Sequence, residues 1–324
     1  MIKTSIGRCF VFFATMALAG CGSSEPPTES TLPTSSLADD ETTSSFERQP
    51  ISEEQTLLHA GLDRSYYLYI PENASELAPL VVVMHGYTSS ATTIMQYSGM
   101  NALADEHGFA VVYPQGTQDQ DGSPFFDVGY TFHQEAGVTV DDLGFLRSLT
   151  RHLQQTYALS TDHVFSTGMS NGGDMSYLLA CQASDIFKAI APVAGMMLES
   201  IRETCTPTRP IPVFEIHGTQ DYVTYWDGDM NDEDGWGAYP DIDSMIRFWV
   251  THNNLDQESI ETLADKDPSD GSSVVFERYF SSSEESEVWL YRIEGGGHDW
   301  PGAWGNQDIN ASEVIWDFFR GYIQ

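Results

Sequence analysis

Short apolar runs divide the chain after about residue 55 into strand-like segments. Leu80 to Met84 and Ala110 to Tyr113 are wholly apolar apart from one tyrosine hydroxyl. Unbroken apolar runs of this length are typical of strands that are buried on both faces. Five further segments also have strand patterns: Arg64 to Ile70, His163 to Thr167, Ala189 to Ala194, Pro212 to Ile216 and Val288 to Ile293.

Helical patterns lie between these strands. Asp141-Asp142 suits a helix start, and Leu146, Leu149 and Leu153 then share one face. Asn171 to Cys181 is a second predicted helix, and a last one lies near residues 314–319. The strand–helix rhythm predicts an α/β fold with a doubly wound, mostly parallel sheet of about eight strands and helices on both faces.

The N-terminus has the pattern of a bacterial lipoprotein signal. Lys3 and Arg8 precede an almost wholly apolar run from Phe10 to Ala19, which is too short to span a membrane. We predict that residues 1–20 are a signal peptide and that cleavage leaves a lipidated Cys21. This predicts an exported lipoprotein, anchored through Cys21 in the outer membrane or at the cell surface. Ordinary cleavage and secretion are the alternative.

The next segment has the composition of a linker. Residues 22 to about 50 are rich in Ser, Thr, Pro and Glu and poor in large apolar side chains. Such a segment buries too little apolar surface to offset the entropy of ordering it. We therefore interpret residues 21–52 as a lipidated cysteine with a disordered tether, and residues 53–324 as one folded domain.

The charge balance limits the possible partners. Acidic residues outnumber basic ones 48 to 14, which gives a formal net charge of −34. Such a chain repels phosphate backbones, so nucleic acid is excluded as a partner. We interpret the charge as a solvated acidic surface and expect a monomer.

Two cysteines remain once the predicted signal and anchor are set aside. Cys9 lies in the signal peptide and Cys21 is the anchor, which leaves Cys181 and Cys205. In an exported, oxidising setting we expect these two to form a disulfide. Two buried free thiols are the alternative.

Gly168-Met169-Ser170-Asn171-Gly172 predicts a nucleophilic serine. The Gly-x-Ser-x-Gly pattern is weak by itself, but here it lies between a predicted strand and a predicted helix. A nucleophile elbow requires this context, because the serine takes a strained turn while Gly168 and Gly172 allow close backbone approach. Ser170 is therefore the predicted nucleophile. A glycine-rich surface turn is the alternative.

Two histidines downstream of Ser170 are candidates for its general base. His298 lies in a glycine-rich loop between the last strong strand and the last helix, whereas His252 ends an apolar helical run. In this strand–turn–helix arrangement the acid and then the base follow the serine along the chain. We favour His298.

The predicted acid follows the strand Pro212 to Ile216. Asp221 follows that strand after the four residues 217–220, where a carboxylate can reach the base, orient it and stabilise its imidazolium. Asp227 and Asp229 are rivals further into the same loop. We interpret His217, at the strand end, as a packed or loop-bracing residue.

Two backbone amides complete the predicted site. One oxyanion donor is the amide after the nucleophile, Asn171, and the other comes from the loop after an early strand, most simply Tyr87 in His85-Gly86-Tyr87. The expected chemistry needs no metal and no cofactor. Residues 227–231 begin like a calcium loop but lack its glycine and closing glutamate, so we expect a solvated acidic loop there.

Aromatic side chains lie near the acid and the base in the sequence. Tyr222, Trp226 and Trp300 are candidates for a substrate pocket, and core packing is an equally fair interpretation.

Six stretches together resemble the polyhydroxybutyrate depolymerase and feruloyl esterase family of α/β-hydrolases. The resemblance implies the α/β-hydrolase fold, a Ser170–His298–Asp221 triad and a disulfide after the nucleophile helix. The sequence differs from the family at Tyr87, because the family often has a cysteine at this position. The stretches are LVVVMHGY (80–87), VDDLGFLRSL (140–149), HVFSTGMSNGGDMSYLLAC (163–181), FKAIAPVAG (187–195), PVFEIHGTQD (212–221) and GGGHDWPG (295–302).

We therefore expect a serine carboxylic-ester hydrolase that acts on small or oligomeric esters through an acyl-enzyme. Polyhydroxybutyrate-type oligomers, feruloyl esters and acetylated xylan all fit this chemistry. Two alternatives are a serine peptidase on the same fold and a binding lipoprotein without catalysis. Ester and peptide assays, together with labelling of Ser170, distinguish them.

Overall fold

The computed structural model describes residues 53–283 and 285–323. The predicted signal peptide, Cys21 and the predicted tether lie outside these residues. Within the described ranges, twelve strands form one ten-stranded sheet and a small ribbon of β5 and β6. The strands are β1 (Gln55–His59), β2 (Leu62–Tyr69), β3 (Leu80–Met84), β4 (Ala110–Pro114), β5 (Thr117–Gln118), β6 (Pro124–Phe125), β7 (Val164–Met169), β8 (Ala189–Val193), β9 (Val213–Gly218), β10 (Gln257–Thr262), β11 (Ser273–Phe280) and β12 (Val288–Glu294).

The large sheet has the strand order β1-β2-β4-β3-β7-β8-β9-β12-β11-β10. Its centre, from β4 to β12, is parallel throughout. Antiparallel strands complete both sides, β2 and β1 on one and β11 and β10 on the other. The mixed sheet with its helices is the expected doubly wound α/β fold.

The prediction of about eight strands is too low for the part of the chain that the structure describes. The strands β1, β10 and β11 were not predicted. All six residues of β10 are exposed, so this strand has no buried face and no apolar alternation to reveal it. Its pairing with β11 is decided by the hairpin instead.

Helices cover both faces of the sheet. The three long helices α4, α5 and α7 contribute to one apolar core, while α1, α2 and α8 contribute to the other. In β3, Val82 faces the first core and Val81 and Val83 face the second, which explains why the run is wholly apolar. The helices are α1 (Ala91–Ser98), α2 (Met100–His107), α3 (Thr131–Glu135), α4 (Asp142–Tyr157), α5 (Asn171–Gln182), α6 (Glu199–Glu203), α7 (Ile242–His252) and α8 (Ala311–Arg320).

Local signals explain where two important elements begin and end. The Asp141 side chain accepts a hydrogen bond from the Gly144 amide and so caps α4, as the acidic pair suggested. Cys181, near the end of α5, forms the expected disulfide with Cys205, which follows α6. Among the described residues no helix has the length and apolar character needed to cross a membrane.

Candidate active site

Ser170 lies at the turn between β7 and α5. Its backbone has φ 55° and ψ −123°, a conformation that is costly for a residue with a side chain. The β7 strand ends at Met169 and the α5 helix begins at Asn171, so the turn contains only the serine. A tight, strained strand-to-helix turn is the geometry of a nucleophile elbow.

The two glycines of the motif have a steric cause. A Cβ atom added to Gly168 would lie 2.5 Å from the Met84 carbonyl oxygen, and one added to Gly172 would lie 2.1 Å from the same atom. Both distances are far below van der Waals contact. The end of β3 therefore packs against the elbow so closely that only glycine fits at these positions.

His298 and Asp221 are joined by a short hydrogen bond. His298 Nδ1 lies 2.7 Å from Asp221 Oδ2. The amides of Val223 and Thr224 donate to the other carboxylate oxygen at 2.8 and 2.9 Å. Asp221 Oδ2 is therefore placed to accept a hydrogen bond from His298 Nδ1. This leaves Nε2 of His298 to act as a base.

The strand order brings the three predicted triad residues to one side of the sheet. Ser170, Asp221 and His298 follow β7, β9 and β12, which are parallel within the sheet centre. Their carboxyl ends therefore lie along the same edge. Within the described residues no hydrogen bond joins Ser170 to His298, and contacts between a nucleophile and its base often tighten only on substrate binding.

The loop after β3 runs beside the serine. A Cβ atom added to Gly86 would lie 3.4 Å from Ser170 Cβ. In the part of the chain that the structure describes, the amides of Tyr87 and Asn171 donate no hydrogen bond to protein. Two amides of this kind beside a nucleophile suit the stabilisation of a developing oxyanion.

His85 fixes the peptide between Gly86 and Tyr87. Its Nδ1 lies 2.8 Å from the Gly86 carbonyl oxygen, and its Nε2 accepts from the Gly116 amide at 3.0 Å. Burial lowers the pKa of His85 to about 4, so the ring is neutral and donates through Nδ1. The same peptide carries the Tyr87 N–H, which His85 therefore orients. We did not predict this role from the sequence.

Side chains anchor both predicted oxyanion donors. The Tyr87 hydroxyl donates to Asp119 Oδ2 at 2.6 Å. The side-chain amide of Asn171 accepts from the Phe126 backbone N–H through Oδ1 at 2.7 Å. It donates to the Phe126 carbonyl oxygen through Nδ2 at 2.9 Å. These contacts tie the segments that carry the two predicted donors to the neighbouring chain around residues 119–126.

Comparison with known proteins identifies the family. The family model described as "Esterase PHB depolymerase" matches residues 64–264. The chain belongs to this family. The resemblance noted in the sequence is thereby confirmed, and the protein is a carboxylic ester hydrolase.

Curated relatives cover the esterase to different extents. It is 29% identical over 306 residues to "Putative esterase NocK" of Nocardia uniformis subsp. tsuyamanensis, which is 88% of this chain and 86% of that protein. "Feruloyl esterase B" of Piromyces equi is 26% identical over 68% of this chain. "Poly(3-hydroxyalkanoate) depolymerase C" of Paucimonas lemoignei is 28% identical over 40% of it. The esterase spans only 39% and 30% of the lengths of these last two.

Solved structures share the fold. "Acetyl xylan esterase from Aspergillus awamori" aligns with a TM-score of 0.53 and 17% identity, over 83% of the esterase and 99% of that chain. "Crystal structure of esterase PE8" aligns with a TM-score of 0.50 and 17% identity, over 78% and 96% of the two chains. Both support the α/β-hydrolase fold.

The three predicted pocket aromatics of the esterase have different surroundings. Trp300 is only 1% exposed and its Nε1 donates to Ser312 Oγ, so it belongs to the core and the structure does not support it as a pocket residue. Tyr222 is 76% exposed. Trp226 is half-buried beneath the Arg292 guanidinium. Trp304, which we did not predict, is partly exposed and its Nε1 lies 3.5 Å from the His298 carbonyl oxygen.

The alternative candidates for the base and the acid do not take part in the contact between His298 and Asp221. His252 ends α7, where its ring stacks on Phe248. Asp227 is exposed, and the Asp229 carboxylate accepts from the amides of Glu233 and Asp234 within its own loop. The described residues hold no group of three or more His, Cys, Asp or Glu side chains arranged for a metal ion.

Proposed function

We propose that this esterase hydrolyses its substrates through Ser170 as nucleophile, His298 as general base and Asp221 as the orienting acid. The hydrogen bond of 2.7 Å between His298 and Asp221 is the observation that carries the assignment. It lies at the same edge of the sheet as the strained turn of Ser170. The pairing selects the histidine tautomer that a serine nucleophile requires.

The reaction then proceeds in two halves. Ser170 Oγ attacks the ester carbonyl carbon while its proton passes to His298 Nε2, and the amides of Tyr87 and Asn171 bind the oxyanion. The bond to the alcohol oxygen breaks, and the alcohol leaves with the proton from His298. Water attacks the acyl-enzyme in the same way, which releases the acid and restores the serine.

The relatives suggest three classes of ester substrate. Their printed names include a poly(3-hydroxyalkanoate) depolymerase, feruloyl esterases and acetylxylan esterases. We propose hydroxyalkanoate oligomers as the first class to test, in keeping with the family. Comparing kcat/KM for hydroxybutyrate oligomers, methyl ferulate and acetylated xylan will rank the three, with a peptide anilide testing amide hydrolysis.

An aromatic cluster beside the oxyanion loop favours aryl esters as a second candidate class. The Tyr87 ring packs edge-on against Trp236 with centroids 5.6 Å apart, and Phe132 packs against Trp236 at 5.3 Å. Aromatic walls bind flat acyl groups by stacking and edge contacts. Preference for methyl ferulate over methyl acetate would support this class, and equal kcat/KM values would count against it.

Removal of the nucleophile tests the proposal directly. We expect Ser170→Ala to lose nearly all turnover of a chromogenic short-chain ester, by roughly a millionfold in kcat. It should also lose covalent labelling by a fluorophosphonate. Ser200→Ala, at an exposed serine in α6, is the control and should keep both. Turnover near the wild-type level in Ser170→Ala would overturn the assignment.

We also propose that the esterase is exported and anchored through a lipidated Cys21, with residues 22–52 as its tether. The basic, apolar and small-residue pattern before Cys21 supports this proposal. Expression with a radiolabelled fatty acid should label the wild type but not Cys21→Ser. Equal labelling of both proteins, or of neither, would contradict it.

A further inference from the structure

A buried acid and a buried base lie beneath the triad, and the reaction above uses neither. Glu215 and His217 are two residues apart in β9, so their side chains point to the same face of the sheet. They are 0% and 1% exposed. Buried ionisable groups are costly unless they are paired, so the arrangement of their partners is informative.

Glu215 is surrounded by hydrogen-bond donors. Its Oε2 accepts from the Tyr177 hydroxyl at 2.7 Å. Its Oε1 accepts from the Gly195 amide at 3.3 Å and lies 2.9 Å from His217 Nδ1. Burial raises the pKa of Glu215, while the hydrogen bonds from His217, Tyr177 and Gly195 act in the opposite direction. The Tyr177 hydroxyl and the Gly195 amide suit an ionised carboxylate, and His217 Nδ1 is the group with which Glu215 shares a proton.

His217 has acceptors on both sides of its ring. Nδ1 faces Glu215, while Nε2 lies 2.9 Å from the Thr224 carbonyl oxygen and 3.7 Å from Asp221 Oδ2. The Thr224 carbonyl only accepts, so Nε2 carries a hydrogen. If Glu215 is ionised, Nδ1 carries a hydrogen as well and the ring is an imidazolium. Burial by itself lowers the pKa of His217, but the hydrogen bond and charge of Glu215 outweigh it and raise that pKa.

Other titratable groups surround the pair. Asp174 and Tyr177 face it from α5. Burial raises the pKa of Asp174 to about 8, and its carboxyl group accepts from the Tyr130 hydroxyl and the Met196 amide. On the β12 side, Arg292 lies over the outer face of Trp226. The charges nearest to the His217 ring are therefore the carboxylates of Glu215 and Asp221.

We propose that Glu215 and His217 form a buried ion pair that positions Asp221 for catalysis. His217 binds the Thr224 carbonyl and so fixes the turn whose amides bind Asp221. It also places a positive charge 3.7 Å from the carboxylate that pairs with His298. Both are positioning residues, and the inference rests on the proposed triad.

Glu215→Gln tests the charge and keeps the hydrogen bonds with Tyr177 and His217, although it loses the longer one of 3.3 Å from the Gly195 amide. The glutamine amide donates to Nδ1, so His217 becomes neutral and keeps its Nε2–H bond to Thr224. Loss of the nearby cation makes the His298 imidazolium easier to form. The acid limb of the kcat/KM profile should therefore move to higher pH by roughly one unit. We expect kcat on the plateau to stay within about threefold.

Two double variants test the positioning. In E215Q/H217N the two amides bond to each other, but asparagine is too short to reach the Thr224 carbonyl. We expect kcat to fall by roughly tenfold to a hundredfold while KM stays within about twofold. In E215Q/H217Q the longer side chain reaches Thr224 and should restore most of kcat. His252→Gln, at the half-buried histidine that ends α7, is the matched control and should change neither constant.

A measurement independent of activity keeps the inference testable. In ¹⁵N-histidine spectra at pH 8 we expect one imidazolium in the wild type, which disappears in Glu215→Gln. Absence of that signal, or an unshifted acid limb, would overturn the ion pair. Wild-type kcat in E215Q/H217N would overturn the positioning. Wild-type protein that neither turns over esters nor reacts with a fluorophosphonate would instead overturn the proposed function.

Discussion

Asp221 uses both oxygens of its carboxylate, and each has a different task. Oδ1 accepts from the backbone amides of Val223 and Thr224, which fixes the carboxylate in the loop that follows β9. Oδ2 accepts from His298. An amide side chain at this position retains the first task and reverses the second, so the two are separable by experiment.

We expect Asp221→Asn to lower kcat by about 10⁴-fold with little change in Tm, because the amide N–H forces His298 into the tautomer that is not a base. The steady-state kcat on a chromogenic ester and a thermal melt measure the two quantities. Asp227→Asn, at an exposed residue of the same loop, is the control and should match the wild type. A loss of less than tenfold in Asp221→Asn would contradict the assignment of the acid.

His85 predicts how stability depends on pH. Its pKa is about 4 in the folded protein, against about 6.5 in the unfolded chain. The unfolded state therefore binds the proton first, so the contribution of His85 is complete above pH 6.5. It is lost as the pH falls towards 4. The difference between the two pKa values corresponds to about 3 kcal/mol of unfolding free energy.

Urea unfolding at several pH values between 7 and 4 measures this loss. In His85→Asn the side chain still has an N–H to donate to Gly86 but does not titrate. We expect the unfolding free energy of this variant to fall less steeply over that interval than that of the wild type. Parallel pH dependences in the two proteins would show that His85 does not contribute.

At the scale of elements, the contact of β3 with the elbow of β7 and α5 builds the site. The carbonyl of Met84 lies where the side chains of residues 168 and 172 would have to be. The same strand end leads into Gly86 and Tyr87, beside Ser170. One close approach of backbones therefore holds the turn of Ser170 and the proposed oxyanion loop together.

Gly172→Ala should disturb both parts of this contact. Its Cβ atom would lie 2.1 Å from the Met84 carbonyl oxygen, so β3 and α5 must separate. We expect Tm to fall by roughly 5 °C or more and kcat/KM to fall with it. Gly321→Ala, at the end of α8 where φ is −62°, is the control and should stay close to the wild type. A Gly172→Ala protein with wild-type Tm and activity would contradict the steric explanation.

The elements differ in how well their sequences reveal them. The seven strands predicted from apolar patterns are all present, because burial against a core requires apolar side chains there. The strand β10 was missed, because its residues are exposed and its position depends on pairing with β11. Edge strands of this kind leave little trace in the hydrophobic pattern.

At the scale of the whole molecule, two cores on opposite faces hold the central strands and leave their carboxyl ends free. The proposed triad residues follow β7, β9 and β12, which are far apart in the chain but lie within four consecutive strands of the sheet. The rigid sheet thus supplies the alignment, and the loops supply the chemistry. The chain carries a large excess of acidic residues, so it repels polyanions and disfavours them as substrates.

The sequence by itself determined the fold class, the elbow around Ser170 and the cysteine pair. Apolar periodicity, glycine sterics and residue order act locally, so they are visible along the chain. The tertiary structure decided the direction of each side chain. It placed Trp300 in the core, because proximity to His298 in the sequence does not fix which way a ring points.

The structure also decided which buried polar groups meet. Glu215 and His217 are visible in the sequence as polar residues in an otherwise apolar strand, but their partners Tyr177 and Thr224 come from other segments. A hydrogen bond depends on distance and angle in space, and no local pattern encodes these for residues far apart in the chain. Packing therefore decided how the triad acid is held.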